Sequence, residues 1–135
     1  MISRRLTLAV LLLLPLTVGF GWFDTTKSRM EDNFWHPASL KPGGYGNLWH
    51  YDLDKDVRFI KGDVTINGVV YGEYKFIDSK HISFHTLGTN YGLHLRVKIF
   101  EVFDGTIMQW SKKNPNGSEQ VVYTFGRPDT YEPIL

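Results

Sequence analysis

The chain contains no cysteine. Disulfides and thiolate metal sites are therefore excluded, and so is the lipid-modified cysteine of a bacterial lipoprotein. An exported domain without disulfides must be held together by its hydrophobic core, which is common among bacterial envelope proteins. Aromatic residues make up 15% of the chain, so Phe, Tyr and Trp are expected to supply much of that core.

The chain also lacks an excess of charge of either sign. Fifteen Lys and Arg stand against 14 Asp and Glu, for a net charge of +1. Without the first 21 residues, which include Arg4 and Arg5, 13 basic side chains remain against 14 acidic ones. A nucleic-acid partner is not expected, because binding a phosphate backbone needs clustered basic charge.

The N-terminus has the order of a secretory signal. A short basic segment precedes the apolar run 6–18, and the small residues Gly19 and Gly21 follow it. We predict that residues 1–21 are a signal peptide or, alternatively, a membrane anchor. As a helix, residues 6–23 are just long enough to span a bilayer as a tether. Either alternative places the rest outside the cytoplasm: periplasmic, secreted, or anchored in the inner membrane.

Residues 22–46 are predicted to be a linker that contains a short helix. Thr25 or Thr26 is a suitable N-cap for a helix that ends near Phe34. Two interpretations stay open. The segment is a loose tether, or Phe34 and Trp35 dock into one end of the following domain.

Residues 47–128 show apolar residues at period two and a turn signal about every 8 to 12 residues, which predicts an all-β domain. The connections are short enough for hairpins, so we expect a single antiparallel up-and-down meander of about seven or eight strands. Closure into a small barrel would remove the exposed edges of such a sheet. One of the predicted strands is 56–66, and residues 129–135 are predicted to be a tail.

The strongest local signal is the pair Asn67-Gly68, which supplies the two positive φ angles of a type I′ hairpin turn. A two-residue turn pairs Ile66 with Val69. Further from the turn, the alternation of inward-facing apolar residues along each strand changes phase, once beside Gly62 and once beside Gly72. We predict a β-bulge at each of these glycines.

These residues carry a resemblance to a known family. The pattern Phe59…Gly62…Gly72-Glu73-Tyr74…Asp78…Ile82, with a terminal Phe125-Gly126-Arg127, resembles small bacterial lipocalin-like (calycin-type) domains. The resemblance covers roughly residues 48–128. It implies a barrel that binds a small apolar ligand or a protein partner of the cell envelope, and it implies no reaction.

The residues that could carry chemistry are scattered. His81 and His85 lie four residues apart on a predicted strand, about 13 Å at roughly 3.3 Å per residue, which is too far to share one metal ion. No Gly-x-Ser-x-Gly nucleophile elbow or phosphate-binding loop is present. We therefore expect no enzyme activity, metal or cofactor. A hydrolase that uses histidines with Glu101 or with Asp52 and Asp54 is the less favoured alternative.

Seven residues are the candidates for a ligand site inside the barrel: Tyr71, Tyr74, Phe84, Glu101, Trp110, Tyr123 and Arg127. The aromatic members either line a cavity or fill the interior, because a barrel of about eight strands is just wide enough for side chains. Glu101 faces inward if Asp104-Gly105 forms a two-residue turn, and outward if the loop is longer. The expected function is a non-enzymatic exported binding module; a membrane-tethered structural accessory protein of the envelope is the alternative.

Overall fold

The computed structural model describes residues 25–41, 48–89 and 92–129. The predicted signal or anchor segment lies outside these residues, as do the turn-rich end of the predicted linker and nearly all of the predicted tail. The described chain folds into one short helix and nine strands, which in chain order are α1 (Thr26–Glu31), β1 (His36–Leu40), β2 (Trp49–Tyr51), β3 (Val57–Ile60), β4 (Asp63–Ile66), β5 (Val69–Phe76), β6 (His81–Thr86), β7 (Leu93–Val102), β8 (Gly105–Lys113) and β9 (Glu119–Pro128).

The strands form one antiparallel sheet in the order β2-β1-β9-β8-β7-β6-β5-β4-β3. Strands β3 to β9 follow one another as hairpins, which confirms the prediction of an all-β, antiparallel, up-and-down meander. Strands β1 and β2 extend this meander beyond its last strand, because β1 pairs with β9 and β2 pairs with β1. Residues 36–40, which the sequence analysis assigns to a linker, are therefore part of the sheet.

The sheet is not closed into a barrel, and that prediction is wrong. The two edge strands, β2 and β3, do not pair with each other. Among the residues that the structure describes, the two ends of the sheet pair at one isolated bridge, where Trp35 and Val57 exchange backbone hydrogen bonds of 2.9 and 2.8 Å. The edges are three and four residues long, and edge strands this short offer little template for pairing with another chain.

The sheet stays open because the pairing of β1 with β2 stops before the isolated bridge. This pairing ends at Ala38 and Tyr51. Beyond that pair, residues 52–56 form a turn, closed by a 3.1 Å bond from the Lys55 amide to the Asp52 carbonyl, instead of continuing the partner strand. The Pro37 carbonyl still accepts a 2.8 Å hydrogen bond from the Asp52 amide, but proline has no N–H to donate in return, so the ladder lacks one bond at this position.

The Asn67-Gly68 hairpin has the predicted geometry. The φ angles are 51° and 83°, both positive as a type I′ turn requires. Ile66 pairs with Val69, in the predicted register. The register then shifts, and Val64 pairs with Gly72, one residue further along β5 than a regular ladder allows. The bulge predicted beside Gly72 is confirmed.

The second glycine of the pattern has a different role. Lys61 and Gly62 have φ angles of 51° and 91° and form another two-residue turn, across which Ile60 pairs with Asp63. The predicted strand 56–66 with an internal bulge is therefore wrong. It is two strands, β3 and β4, folded back on each other.

Aromatic rings fill the concave side of the sheet. Phe59, Phe84, Trp110 and Phe125 are buried, and the Trp110 ring lies 5.2 to 5.4 Å from the other three, centroid to centroid. Phe59 on β3 also contacts Phe125 on β9, with centroids 5.4 Å apart. Since these strands lie near opposite ends of the sheet, the sheet must be strongly curled around the core.

Helix α1 belongs to this core. Thr25 caps it by accepting a 3.0 Å hydrogen bond from the Ser28 amide. Met30 and Trp35 are 0% and 1% exposed, and the Trp35 indole Nε1 donates to the Met30 carbonyl at 3.0 Å. Of the two interpretations of this segment, the loose tether is wrong and the docking of Trp35 is confirmed. Phe34 is only partly buried, and its ring contacts His36 and the Arg58 guanidinium.

Candidate functional site

The two ends of the curled sheet differ. Helix α1 covers one of them, which we call the helix end: Arg29 pairs with Glu101 at 2.9 Å, and the Tyr74 hydroxyl donates to the Glu31 carboxylate. At the opposite end lie the Asn67-Gly68 turn, the connection after β6 and the loop between β8 and β9. We call it the pocket end, because the main cavity of the described chain lies there.

The cavity has a volume of about 190 Å³. It is bounded by six of the meander strands together with β1, and its lining consists of Pro37, Val57, Val64, Ile66, Tyr71, Phe84, Trp110, Tyr123, Thr124 and Phe125. Trp110 is 1% exposed and forms its buried wall, whereas Tyr71 is 42% exposed and lies at its mouth. The cavity is therefore a pocket that reaches from solvent to the centre of the aromatic core.

The lining carries no charged side chain. Its polar groups include the hydroxyls of Tyr71 on β5 and Tyr123 on β9. Burial raises the pKa of Tyr123, and the neighbouring Tyr71 side chain raises it further, so the Tyr123 phenol stays neutral at physiological pH. The Trp110 indole N–H is buried and has no hydrogen-bond partner in the part of the chain that the structure describes.

A smaller cavity of about 110 Å³ adjoins the first and shares Phe84 and Tyr123 with it. It is more polar, since His85 and the threonines at positions 86 and 89 contribute to its lining. The His85 Nε2 lies 3.1 Å from a carboxylate oxygen of Glu73. This pair sits on adjacent strands at the rim, outside the main pocket.

Four of the seven candidate site residues line the main pocket: Tyr71, Phe84, Trp110 and Tyr123. The other three do not. Tyr74 is buried toward the helix end, where burial and the bonded Glu31 carboxylate raise its pKa. Arg127 is absent from the lining, and its Nε is buried without a hydrogen-bond partner among the described residues.

Glu101 lies outside the core, and the interpretation that buries it is wrong. Its side chain is 65% exposed, and it accepts hydrogen bonds of 2.9 Å from both Arg29 and Thr106. The hairpin turn is Phe103-Asp104, not Asp104-Gly105, since Val102 pairs with Gly105 across it. Glu101 keeps the phase of Leu95 and Val97, because the ladder between β7 and β8 runs without a shift. It lies one residue from the end of β7, beside helix α1, and there its side chain reaches solvent.

The sequence analysis did not assign several pocket residues to the site. Val57, Val64 and Ile66 could have been found from their inward-facing phase on the hairpin strands. Pro37 could not, because it reaches the pocket only through the pairing of β1 with β9, for which the local sequence holds no signal. Thr124 is likewise placed by the register shift in β9.

The histidines form separate contacts. His81 pairs with Asp78 at 2.9 Å, and the His36 Nδ1 lies 2.8 Å from the Lys55 carbonyl oxygen. Within residues 25–41, 48–89 and 92–129, no three His, Asp or Glu side chains lie close enough together to hold a metal ion. None of the helices formed by these residues is long and apolar enough to cross a membrane.

Comparison of the chain with protein-family models, with curated proteins and with solved structures finds no match.

Proposed function

We propose that the protein is a non-enzymatic, lipocalin-like module that binds a small apolar molecule in the pocket opposite helix α1. The observation that carries the proposal is the 190 Å³ cavity with an uncharged, largely aromatic lining and a mouth at the protein surface. Concave apolar sites with a few placed polar groups are the usual form of small-molecule sites.

The volume limits the ligand. An apolar cavity of about 150 Å³ in a protein core stays dry and binds benzene. A cavity of about 190 Å³ therefore holds one ring with a short substituent, or a branched chain of about eight non-hydrogen atoms. Ligands of this size gain little total binding energy, so we expect dissociation constants between about 1 mM and 1 μM.

A binding role suits the lining better than a reaction. The ionisable groups that line the cavity are two tyrosines, Tyr71 and Tyr123. General acid–base catalysis works best with a group whose pKa lies near the operating pH, and the pKa of Tyr123 is raised away from it.

The test is a titration of the full chain with ethylbenzene, which has one ring and eight carbon atoms. Binding should raise the melting temperature, because a ligand that binds only the folded state stabilises it. It should also change the tryptophan fluorescence, since Trp110 forms the buried wall. No change in either signal up to the solubility limit of ethylbenzene would overturn the proposal.

Two matched variants locate the binding. Ile66→Phe adds bulk to the pocket lining and should abolish the effect of ethylbenzene. Ile60→Phe makes the same change at a residue that is 50% exposed and absent from the lining, and should preserve it. Equal responses of the two variants would mean that ethylbenzene binds elsewhere.

The cellular location is part of the proposal. We propose that residues 1–21 direct the chain out of the cytoplasm, and that the domain is periplasmic or secreted once they are cleaved. The alternative is that residues 6–23 remain as an inner-membrane tether. Mass spectrometry of the N-terminus in soluble and membrane fractions decides between the two: an intact residue 1 in the membrane fraction favours the tether.

A further inference from the structure

The chain contains two Asn-Gly pairs, and both lie in turns at the pocket end. Asn67-Gly68 is the two-residue turn between β4 and β5, whereas Asn116-Gly117 lies in the loop between β8 and β9. An asparagine followed by glycine is the pair most prone to deamidation, because glycine has no side chain to hinder attack by its own backbone nitrogen. The structure places the two pairs in different surroundings.

Deamidation begins when the backbone nitrogen of the glycine attacks the side-chain amide carbon, Cγ, of the asparagine. The nitrogen loses its proton to base, the new N–Cγ bond closes a succinimide ring, and the side-chain nitrogen leaves as ammonia. Water then opens the ring at either of its carbonyl carbons, which yields aspartate or isoaspartate. No enzyme takes part, so the rate depends on how freely the side chain meets the nitrogen of the next residue.

Hydrogen bonds to a neighbouring segment hold the Asn67 side chain. Its Oδ1 accepts a 2.8 Å bond from the Asp56 amide, and its Nδ2 donates to the Asp54 carbonyl at 3.2 Å. Its own backbone amide donates to the Asp56 carbonyl at 2.8 Å. Both ends of the side-chain amide are therefore fixed to residues 54–56, and the ladders of β4 with β3 and β5 begin directly beside the turn. Attack by Gly68 requires this whole corner to open.

The partners of Asn116 all belong to its own loop. Its Oδ1 accepts bonds of 3.0 Å from the Ser118 amide and 2.6 Å from the Ser118 hydroxyl, whereas its Nδ2, the leaving group, has no partner among the described residues. The Gly117 amide donates to the Asn114 carbonyl at 2.9 Å, and this bond must open before the nitrogen can attack. Residues 115–121 are exposed, so the loop can open while the strands stay paired.

The two bonds from Ser118 do not oppose the reaction. The side-chain oxygen takes up negative charge when the glycine nitrogen adds to Cγ, and a hydrogen bond to a charged acceptor is stronger than one to a neutral acceptor. We infer that Asn116 is a site of spontaneous deamidation in the folded protein, and that the fold protects Asn67 from the same reaction. The product adds a carboxylate to the loop between β8 and β9, whatever the pocket binds.

Incubation of the folded full chain at mildly alkaline pH, followed by tryptic mapping, tests the inference. Trypsin separates the two sites, because Asn67 falls in the peptide 62–75 and Asn116 in the peptide 114–135. Asn116 should convert at least about tenfold faster, since the Asn67 side chain must first lose two hydrogen bonds to a second segment. Fragment ions distinguish Asn116 from Asn114, whose following proline has no N–H to attack.

Unfolding provides the control on the same chain. In concentrated urea neither turn persists, so the two pairs should convert at rates within about threefold of each other. Asn116→Gln is the matched variant, because one more methylene disfavours ring closure. It should abolish conversion in the peptide 114–135 and leave the peptide 62–75 unchanged. A sample digested without incubation gives the background from the digestion itself.

An isoaspartyl methyltransferase supplied with labelled S-adenosylmethionine identifies the product, because it labels isoaspartate and not asparagine. The label should appear in the peptide 114–135 of the incubated folded chain. Equal conversion of Asn67 and Asn116 in the folded chain would overturn the inference, and so would an Asn116 that stays intact there. A preference for Asn116 that persists in urea would also overturn it, since the difference would then come from the sequence and not from the fold.

Discussion

Replacing Trp35 with alanine tests whether the N-terminal segment is part of the folded core. The indole is 1% exposed, its Nε1 donates to the Met30 carbonyl at 3.0 Å, and its backbone forms the bridge to Val57. Truncating a buried Trp to Ala removes its transfer free energy and leaves a cavity, which together cost about 3–5 kcal/mol. Small domains are stable by only about 5–15 kcal/mol, so the variant should lose about a fifth of its stability or more.

Urea denaturation of the full chain, followed by circular dichroism, measures this loss as a lower midpoint with an unchanged slope. Phe103→Ala is the matched control, because this aromatic ring is 87% exposed in a hairpin turn and its removal should change stability by less than about 0.5 kcal/mol. A loss below about 1 kcal/mol in Trp35→Ala would refute the reasoning. It would show that the segment before β1 adds little to the fold.

Two further predictions concern the outer face of the sheet, where Tyr51 packs against Gly126. A Cβ at position 126 would lie 2.4 Å from the Tyr51 Cε1, so Gly126→Ala should cost about 1–3 kcal/mol in urea denaturation. The double variant with Tyr51→Ala should lose less than the sum of the two single variants, and a simple sum would contradict the proposed clash. Burial raises the pKa of Tyr51, and the charge of Asp104 and the 3.1 Å hydrogen bond to it raise the pKa further. Since the folded pKa exceeds the unfolded value of about 10, this stabilisation is complete below about pH 10 and is lost as the pH rises above it. Tyr51→Phe should make the urea midpoint fall less steeply above pH 10, and an unchanged slope would contradict the assignment.

The sequence predicts best where structure depends on adjacent residues. The Asn67-Gly68 turn was predictable because both residues tolerate positive φ, so the conformation depends on the residues in the turn itself. The turn at Lys61-Gly62 was not, since lysine has no preference for its φ of 51° and a glycine within an apolar run also indicates a bulge. Both glycines were recognised, but only Gly72 has the predicted role.

Strand register is the second feature that is hard to predict from the sequence. Asp104-Gly105 has the composition of a turn, yet the turn begins one residue earlier at Phe103 and exposes this ring to solvent. With this register Glu101 pairs with Thr106 near the end of β7, and its side chain bonds to Arg29 of helix α1 instead of entering the core. The aromatic residues of the site are less sensitive to errors in the predicted register. Phe84 and Trp110 lie on strands in which many residues together determine which side chains face inward.

The open sheet and the pocket have the same structural cause. In a closed barrel of about eight strands, side chains fill the interior. Here the chain turns away from β1 after the Asp52 amide has bonded to the Pro37 carbonyl, and the described residues of the two sheet ends rejoin at Val57. Pro37 and Val57 both line the cavity, so the pocket borders the gap in the pairing. In a closed barrel, the partner strand would continue past Pro37 and its inward-facing side chains would enter this space. The pocket therefore lies where the missing stretch of strand would have supplied core side chains.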